Sequence, residues 1–564
     1  MNILNNKEFN VLLLIIIIIL LSINLTMATP SIKYNRNKST YLIDETNDLV
    51  LYCPMYGKDT FLINKNGEII NSWTSNYSPD YSVYSYGNGK IIRTTNVKEG
   101  VEVFDWDGNI TWEYEYISNK NRLHHDIEPL PNGNILLIGN EYFTREEAIA
   151  QGRRVETLGI YSDFVIEVQP TNKTTGDIIW EWYVWDHLIQ DYDPSKANYG
   201  AVADHPELID INYYVGSSAD WTHINSIDYN EEFDQILLSS LNYNEVWVID
   251  HSTTTEEAAD NTGGNSGKGG DILYRWGNPQ TYNAGNETHK KLFGQHDAQW
   301  IKPEYPGEGH ILVFNNGQNR TDGRYSSIDE FIPPVDSLGN YFLAPGENYG
   351  PEGLFWQYIA DPPNSFCSSY ISGVQRLLNG NTIICNGTGG KFFEVTPEGE
   401  TIWEYENIYP SPPEIRVFKI CLFSKSELYP PDLICNGSLT WKNIKAGDIV
   451  TGSFNIRNIG DPESNLLWKI KSFPNWGNWT FTPENGNISA GSKLSVNVQV
   501  IAPNKTNTEF EGEIKIINLE NPDDFGIINV ILSTPRNKAS YNLLFLKFLE
   551  QSPLLNRFLT LLKN

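Results

Sequence analysis

Cysteine is scarce in this chain of 564 residues: there are 5, at positions 53, 367, 385, 421 and 435, and no two are spaced as C-x-x-C. That spacing excludes a zinc cage and a thioredoxin-type redox site, and it leaves room for one or two disulfides whose connectivity it does not define. Basic residues are few as well, with 41 Lys and Arg against 70 Asp and Glu, a formal net charge of −29 and no long basic run. A surface of that sign repels nucleic acid phosphates and anionic lipid headgroups, so no nucleic acid partner is expected. A small anionic substrate stays open, because salt screens distant charge beyond about 10 Å and a local cluster of His and Arg then decides. Charged residues make up only 20% of the chain while aromatic residues reach 13%, with 16 Trp and 31 Tyr. This is the composition of a globular, strand-rich protein rather than a disordered one.

One apolar run stands out, VLLLIIIIILL over Val11–Leu21, behind Lys7 and ahead of Thr26-Met27-Ala28. Residues 1–28 therefore read as an export signal, or alternatively as an uncleaved anchor through which the chain associates with a membrane. Both place the body outside the cytoplasm, as an extracellular or cell-surface protein. Eleven N-x-S/T sequons follow, from Asn37 to Asn504, as suits a glycoprotein.

A repeat runs through the body of the chain. Its clearest copy joins GNGKIIRTTN to VEVFDWDGNITWEYEY, Gly87 to Tyr116: short strands, a D-G-N turn and a Trp-bearing last strand. Related units run from Leu49 to Trp73, from Asn132 to Trp182, from Gln235 to Gly277, from His310 to Tyr358 and from Asn379 to Glu406. Six units of alternating apolar strands, each ending in an aromatic strand, predict an all-β, six-bladed β-propeller, because radial sheets bury both faces against their neighbours and ring closure limits exposed edges. A stacked array of sandwiches is the alternative. Past Tyr429 the pattern changes to LTWKNIKAGDIVTGSFNIRNIGD and LSVNVQVIAP, which predicts a seven-strand-like, immunoglobulin-like β-sandwich of about 100 residues. The domain reading is leader 1–28, propeller 29–428, sandwich 429–535, and a tail 536–564 of two short apolar helices split by Pro553, docked on the body. The stretch HSTTTEEAADNTGGNSGKGGD from His251 imitates a phosphate loop, but Thr262 stands where the first Gly belongs and Gly269 replaces Ser/Thr. It reads as a flexible turn between outer strands.

Only 9 histidines are present, and three precede inner strands of consecutive repeats: His125 in HHDIEPLPNGNILL, His223 in DWTHINSIDYNEEFDQILL and His296 in GQHDAQWIKPEYPGEGHILV. Equivalent positions on successive blades face one mouth of one axis, so these three are expected to converge. The others, including His124, read as loop or hydrogen-bonding residues, with His124 the alternative inward partner of its doublet.

The segments HD, DWxHxNSxxY and GQHDAQW resemble the PAPS-independent arylsulfate sulfotransferase family over about Leu49 to Asn407. In that family a six-bladed propeller takes a sulfuryl group from an aryl sulfate, holds it on a histidine and passes it to a phenolic acceptor. The resemblance implies His296 as nucleophile, His125 and His223 as acid/base and oxyanion-binding partners, and Asn225 as a sulfate contact. It implies no metal, no nucleotide and no other cofactor. Neutral imidazole, with a reference pKa near 6.5, suits both attack and departure. A proton or hydrogen bond to a departing phenolate, whose conjugate acid has a pKa near 10, is worth about 10²–10⁴-fold.

This chain departs from the family at the arginine expected after the second histidine, where it carries Leu241. Arg376 in SGVQRL and Arg320 in NNGQNR, the latter inside the sequon at Asn319, are the replacement donors the sequence offers, with Arg324 close behind. Leu241 keeps open a non-catalytic propeller that binds a ligand or glycan, and water in place of the phenol would make an aryl sulfate hydrolase. The sandwich also follows the propeller here, where the enterobacterial-type enzymes place one before it.

Overall fold

A computed structural model describes residues 49–535, apart from 88, 97–99, 117, 155–158, 215–217, 345, 410–414, 424–425, 427–428 and 463, together with 547, 548 and 551. The expected leader, the sequon at Asn37 and nearly all of the apolar tail lie outside the described residues.

Each repeat unit folds as a four-stranded antiparallel sheet, and there are six such sheets between Leu49 and Phe423. Middle strands such as Gln235–Ser240 and Glu245–Asp250 are buried at every residue. Both faces press on neighbouring sheets, so their sequences are near-continuously apolar instead of alternating. The last strands alternate between exposed and half-buried, as in Thr401–Glu406. The punctuation has a local cause. In N-G-N, Gly133 takes φ 86° and Gly380 φ 89°, a region open to glycine at no steric cost. The flanking asparagines tie the hairpin, with Asn134 N donating to Asn132 Oδ1 and Asn381 N donating to Asn379 Oδ1, each at 2.9 Å.

The recurring tryptophan joins the sheets into a ring. The indole Nε1–H of Trp73 donates to Asp105 O at 2.7 Å, Trp112 to Thr175 O at 3.1 Å and Trp182 to Gly270 O at 2.7 Å. Trp276 donates to Pro351 O at 2.9 Å, Trp356 to Pro397 O at 2.8 Å and Trp403 to Lys65 O at 2.7 Å. Each bond runs from the last strand of one sheet to the chain of the next, and the sixth returns to the first. Sheet 1 is completed from far along the sequence: Val417–Phe423 pairs with Leu49–Pro54 and becomes its inner strand. The sequence unit Leu49 to Trp73 supplies only three strands, so the fourth was not visible in it.

Beyond the ring, sheets of four and five strands enclose a separate apolar core that includes Phe454, Trp468, Val498 and Ile516. These nine strands exceed the seven expected, and Leu439–Trp441 pairs in parallel with Phe525–Ser533. Lys469 and Lys471 of this part both ion-pair with Glu304 of the ring. The segment after His251 is not a loose turn. Thr254 caps a turn of helix at Thr255–Ala258, and His187 bonds Asp271 at 2.8 Å and Ala258 O at 2.9 Å. Cys53, Cys367, Cys385 and Cys435 form no disulfide among the described residues.

Candidate active site

Strand register shows which residues share a level in the ring. Ile420 pairs with Tyr52, Val83 with Arg93, Ile127 with Leu137, Ile227 with Leu238 and Val374 with Ile384, and Gln299 opposite Leu312 puts Ala298 level with Val313. Two residues before these stand Phe418, Tyr81, His125, Asn225, Ser372 and His296. They make one layer: Tyr81 stacks on His125 at 4.5 Å, Phe418 lies 5.1 Å from Tyr81, and both His125 and His296 lie 5.9 Å from Phe418. The register corrects the expected repeat equivalence, because Asn225 and not His223 occupies the fourth sheet's place in it. His223 sits two residues earlier and meets His125 from above, ring to ring at 4.7 Å. The three imidazoles lie close together, His125 against His223 and both His125 and His296 against Phe418, but only His125 and His223 line the neighbouring cavity.

The inner strands bulge here, and the backbone shows it. His125 has φ 61°, His223 φ 52° and Asp297 φ 51°, the left-handed region that side chains other than glycine seldom adopt. Such conformations persist only where surrounding bonds over-determine them. Asp163 supplies those bonds for two of the three. Its Oδ2 accepts from Thr222 Oγ1 at 2.5 Å and Ile224 N at 2.8 Å, the residues flanking His223, and its Oδ1 accepts from His124 Nε2 at 2.9 Å. With His124 donating there, its Nδ1 accepts from His125 Nδ1 at 2.6 Å, which leaves the lone pair of His125 on Nε2.

His296 is 2% exposed, and its Nδ1–H donates to Asn316 Oδ1 at 2.8 Å. Asn316 is oriented in turn by donating to Ser368 O at 2.8 Å, so its amide is fixed. The neutral ring then carries its lone pair on Nε2. Burial, opposed by the Asn316 bond, lowers the His296 pKa to about 4. His125 is held well below the ordinary imidazole value by burial and by the neighbouring rings of His223, His124 and His296. His223 moves the other way: burial opposes its charge, but the bond from Nδ1 to Asp220 Oδ2 at 2.5 Å outweighs that and raises its pKa. Two imidazoles are thus neutral beside one that favours imidazolium, a division that suits nucleophile and acid.

Asn225 is fully buried, and its Nδ2 donates to Gln295 O at 2.8 Å while its Oδ1 meets no donor among the described residues. What the amide has left for a ligand is the Oδ1 acceptor and the second Nδ2 hydrogen. Leu241 N donates to His223 O at 3.0 Å, so the residue standing at the family's arginine is tied to the site by its backbone. Arg376 is spent elsewhere, ion-paired with Glu330 and donating to Gly380 O at 3.0 Å. Arg320 donates to Ser327 Oγ at 2.6 Å and lies over Tyr325 and Phe293. Among the described residues, neither bonds an imidazole.

The next layer holds a buried ion cluster. Lys419 Nζ lies 2.7 Å from Asp297 Oδ1 and 3.1 Å from Asp126 Oδ2, all buried. Beyond it a cavity of about 390 Å³, lined by Glu128, Asp228 and Lys302 among others, contains no histidine. On the histidine side a cavity of about 320 Å³ is lined by Tyr81, Arg122, His124, His125, Asp220 and His223, with Asp80, Asn96, Leu123 and Asn140. Sequence reasoning missed Arg122, Asp163, Asn316 and Lys419. The signals were faint: one acid or base inside an apolar strand, and an Asn doublet after another.

A closed ring of sheets with a cluster of imidazoles among its inner strands defines the class, an all-β protein. The family model Arylsulfotransferase (ASST) matches residues 38–415, and the chain belongs to that family. Membership supports aryl sulfotransferase activity in general, with an aryl sulfate donor and a phenolic acceptor. No curated protein matches the chain. Among solved structures, the chain is similar to a protein of unknown function from Bacteroides caccae, at 13% identity and TM-score 0.39, covering 67% of this chain and 99% of that one. It is also similar to virginiamycin B lyase from Staphylococcus aureus, at 12% identity and TM-score 0.31, covering 65% and 86%. A third is the Cps50 (Swd1) β-propeller domain of Myceliophteria thermophila, at 9% identity and TM-score 0.33, covering 64% and 86%.

Proposed function

We propose that the chain is an exported, glycosylated aryl-sulfate sulfotransferase, a six-bladed β-propeller over residues 29–428 with an immunoglobulin-like sandwich over 429–535, acting through a sulfohistidine in a ping-pong cycle. The observation that carries this reading is the pairing of a neutral His296, its Nδ1–H fixed by Asn316, with a His223 whose pKa is raised by Asp220. In the first half-reaction the Nε2 lone pair of His296 attacks sulfur. An N–S bond forms as the S–O bond to the aryl group breaks, and the departing phenolate takes a proton from the His223 imidazolium. In the second, the acceptor phenol returns a proton to neutral His223 while its oxygen attacks sulfur. The N–S bond breaks and its electron pair returns to His296. His125, neutral and backed by His124 and Asp163, lines the path without adding a charge that would push His223 toward deprotonation.

Leu241 supports the second reading, a channel that binds a ligand without turning it over. One assay separates these two readings and hydrolysis. Purified protein with a chromogenic aryl sulfate releases phenol and sulfates an added phenol if it is a transferase. It releases phenol without sulfating the acceptor if it is a hydrolase. A binding protein releases none and never gains sulfuryl mass.

A further inference from the structure

Arg122 stands on the rim of the histidine cavity and has no part in the chemistry described so far. It is on the same inner strand as His125, three residues before it. Its guanidinium is positioned twice: Nε donates to Asn140 Oδ1 at 3.0 Å, and the group lies over the Tyr161 ring at 4.5 Å. Both terminal nitrogens meet no acceptor among the described residues, and the side chain is exposed to the cavity mouth. A planar fork fixed at its stem with two free NH₂ ends is the arrangement that receives a carboxylate or sulfate in two parallel bonds.

The rest of the wall narrows where an anion can go. Arg122 is the only permanently charged cation among the residues lining this cavity, and Asp80 and Asp220 line it too. Asp220 already bonds His223, so the carboxylates repel a substrate anion from other positions while Arg122 attracts it. The layer that carries His296 also holds an aromatic shelf, Tyr81 stacked on His125 with planes 6° apart. A phenol whose hydroxyl reaches the imidazoles would rest its ring near this shelf and direct its far end toward Arg122.

We infer that Arg122 selects phenolic substrates that carry a second anionic group, a carboxylate or sulfate, at the end of the ring remote from the reacting oxygen. This rests on the sulfotransferase reading and names the substrate class of the same site. The strongly negative chain offers such anions no long-range attraction, so recognition falls to a local bidentate contact.

The test compares 3-(4-hydroxyphenyl)propionate with its amide, two acceptors with the same reacting phenol and different far ends. With a chromogenic aryl sulfate as donor, kcat/KM for the acid should exceed that for the amide by about tenfold or more, the range of a charge-assisted pair. Arg122→Gln should remove the preference and leave the amide rate in place, and Arg122→Lys should keep part of it. Equal rates for acid and amide in the unaltered protein, or an Arg122→Gln variant that slows both alike, would overturn the inference and leave the transferase reading standing. Calorimetric titration with the acid, without donor, decides the matter even if no transfer occurs. Binding weakened in Arg122→Gln supports the inference, and identical binding in both proteins sinks it.

Discussion

Lys419 Nζ lies 2.7 Å from Asp297 Oδ1, which ties the strand that closes the ring to the residue after His296. The same ammonium reaches Asp126 at 3.1 Å, so one cation from sheet 1 neutralises acids from sheets 3 and 5. Two carboxylates buried without it would be uncompensated. Lys419→Met should therefore destabilise the fold by about 3–5 kcal/mol, read as a lowered denaturant midpoint. Adding Asp126→Asn and Asp297→Asn should recover part of the loss. An unchanged midpoint in the single variant would show that closure depends on the backbone pairing alone.

The opposed pKa shifts predict the pH profile of phenol release. His296, lowered to about 4 by burial, keeps its lone pair far below the ordinary imidazole range, so the acid limb should fall near pH 4. His223, raised by Asp220 against the effect of burial, should stay protonated above its usual 6.5 and set an alkaline limb above that pH. Asp220→Asn should move the alkaline limb down and leave the acid limb in place. Stability follows the same groups with opposite sign. The contribution of His223 is fully present below 6.5 and is lost as pH rises through its folded value, whereas that of His296 is lost as pH falls from 6.5 toward 4.

Much of the ring was legible because its local rules are written into each repeat. An N-G-N or D-G-N turn precedes an apolar strand, and a Trp at the outer edge has an indole that must find an acceptor. The closing strand Val417–Phe423 was not legible, because its partner Leu49–Pro54 is at the other end of the ring and no turn joins them. Lys419 inside VFKICLF was the one clue that this strand meets buried acid. At the site, the histidines were legible as a set but their levels were not. A bulge between Ile224 and Ser226 shifts register by an amount that sequence spacing does not reveal, and it puts Asn225 where His223 was expected. Charge and strand position single out Arg376 and Arg320 in the sequence, which carries no sign that Glu330 is buried beside Arg376.

Asp163 holds both His124 and the segment carrying His223, so it positions two of the three imidazoles at once. Asp163→Asn would set an amide N–H against donors at Thr222 and Ile224. Displacement of a reacting group by about 1 Å costs on the order of 100-fold, so kcat should fall by about that factor with KM less affected. Folding stability should drop by about 1–3 kcal/mol, the cost of buried polar groups left unsatisfied. A variant that loses stability and keeps kcat would remove the Asp163–His124–His125 chain from the mechanism.

The nucleophile assignment is tested by separating His296 from its orienting partner. His296→Ala should abolish transfer and leave the melting curve nearly unchanged, since the ring's stability rests on sheets buried on both faces and the imidazole is itself costly to bury. Asn316→Ala should give an intermediate result. It frees Nδ1 and with it the tautomer that leaves the lone pair on Nε2, and by analogy with the outer partners of metal-bound histidines it should slow phenol release about 10–100-fold. Rapid acid quenching of the unaltered protein with donor but no acceptor should place sulfuryl mass on the peptide containing Gln295, His296 and Asp297. The same mass on a peptide carrying His125 or His223 would transfer the nucleophilic role to that residue. The order of effects is the discriminating result: if Asn316→Ala were as inactive as His296→Ala, Asn316 would be touching substrate, and if it were fully active, the tautomer would be set by something other than the amide.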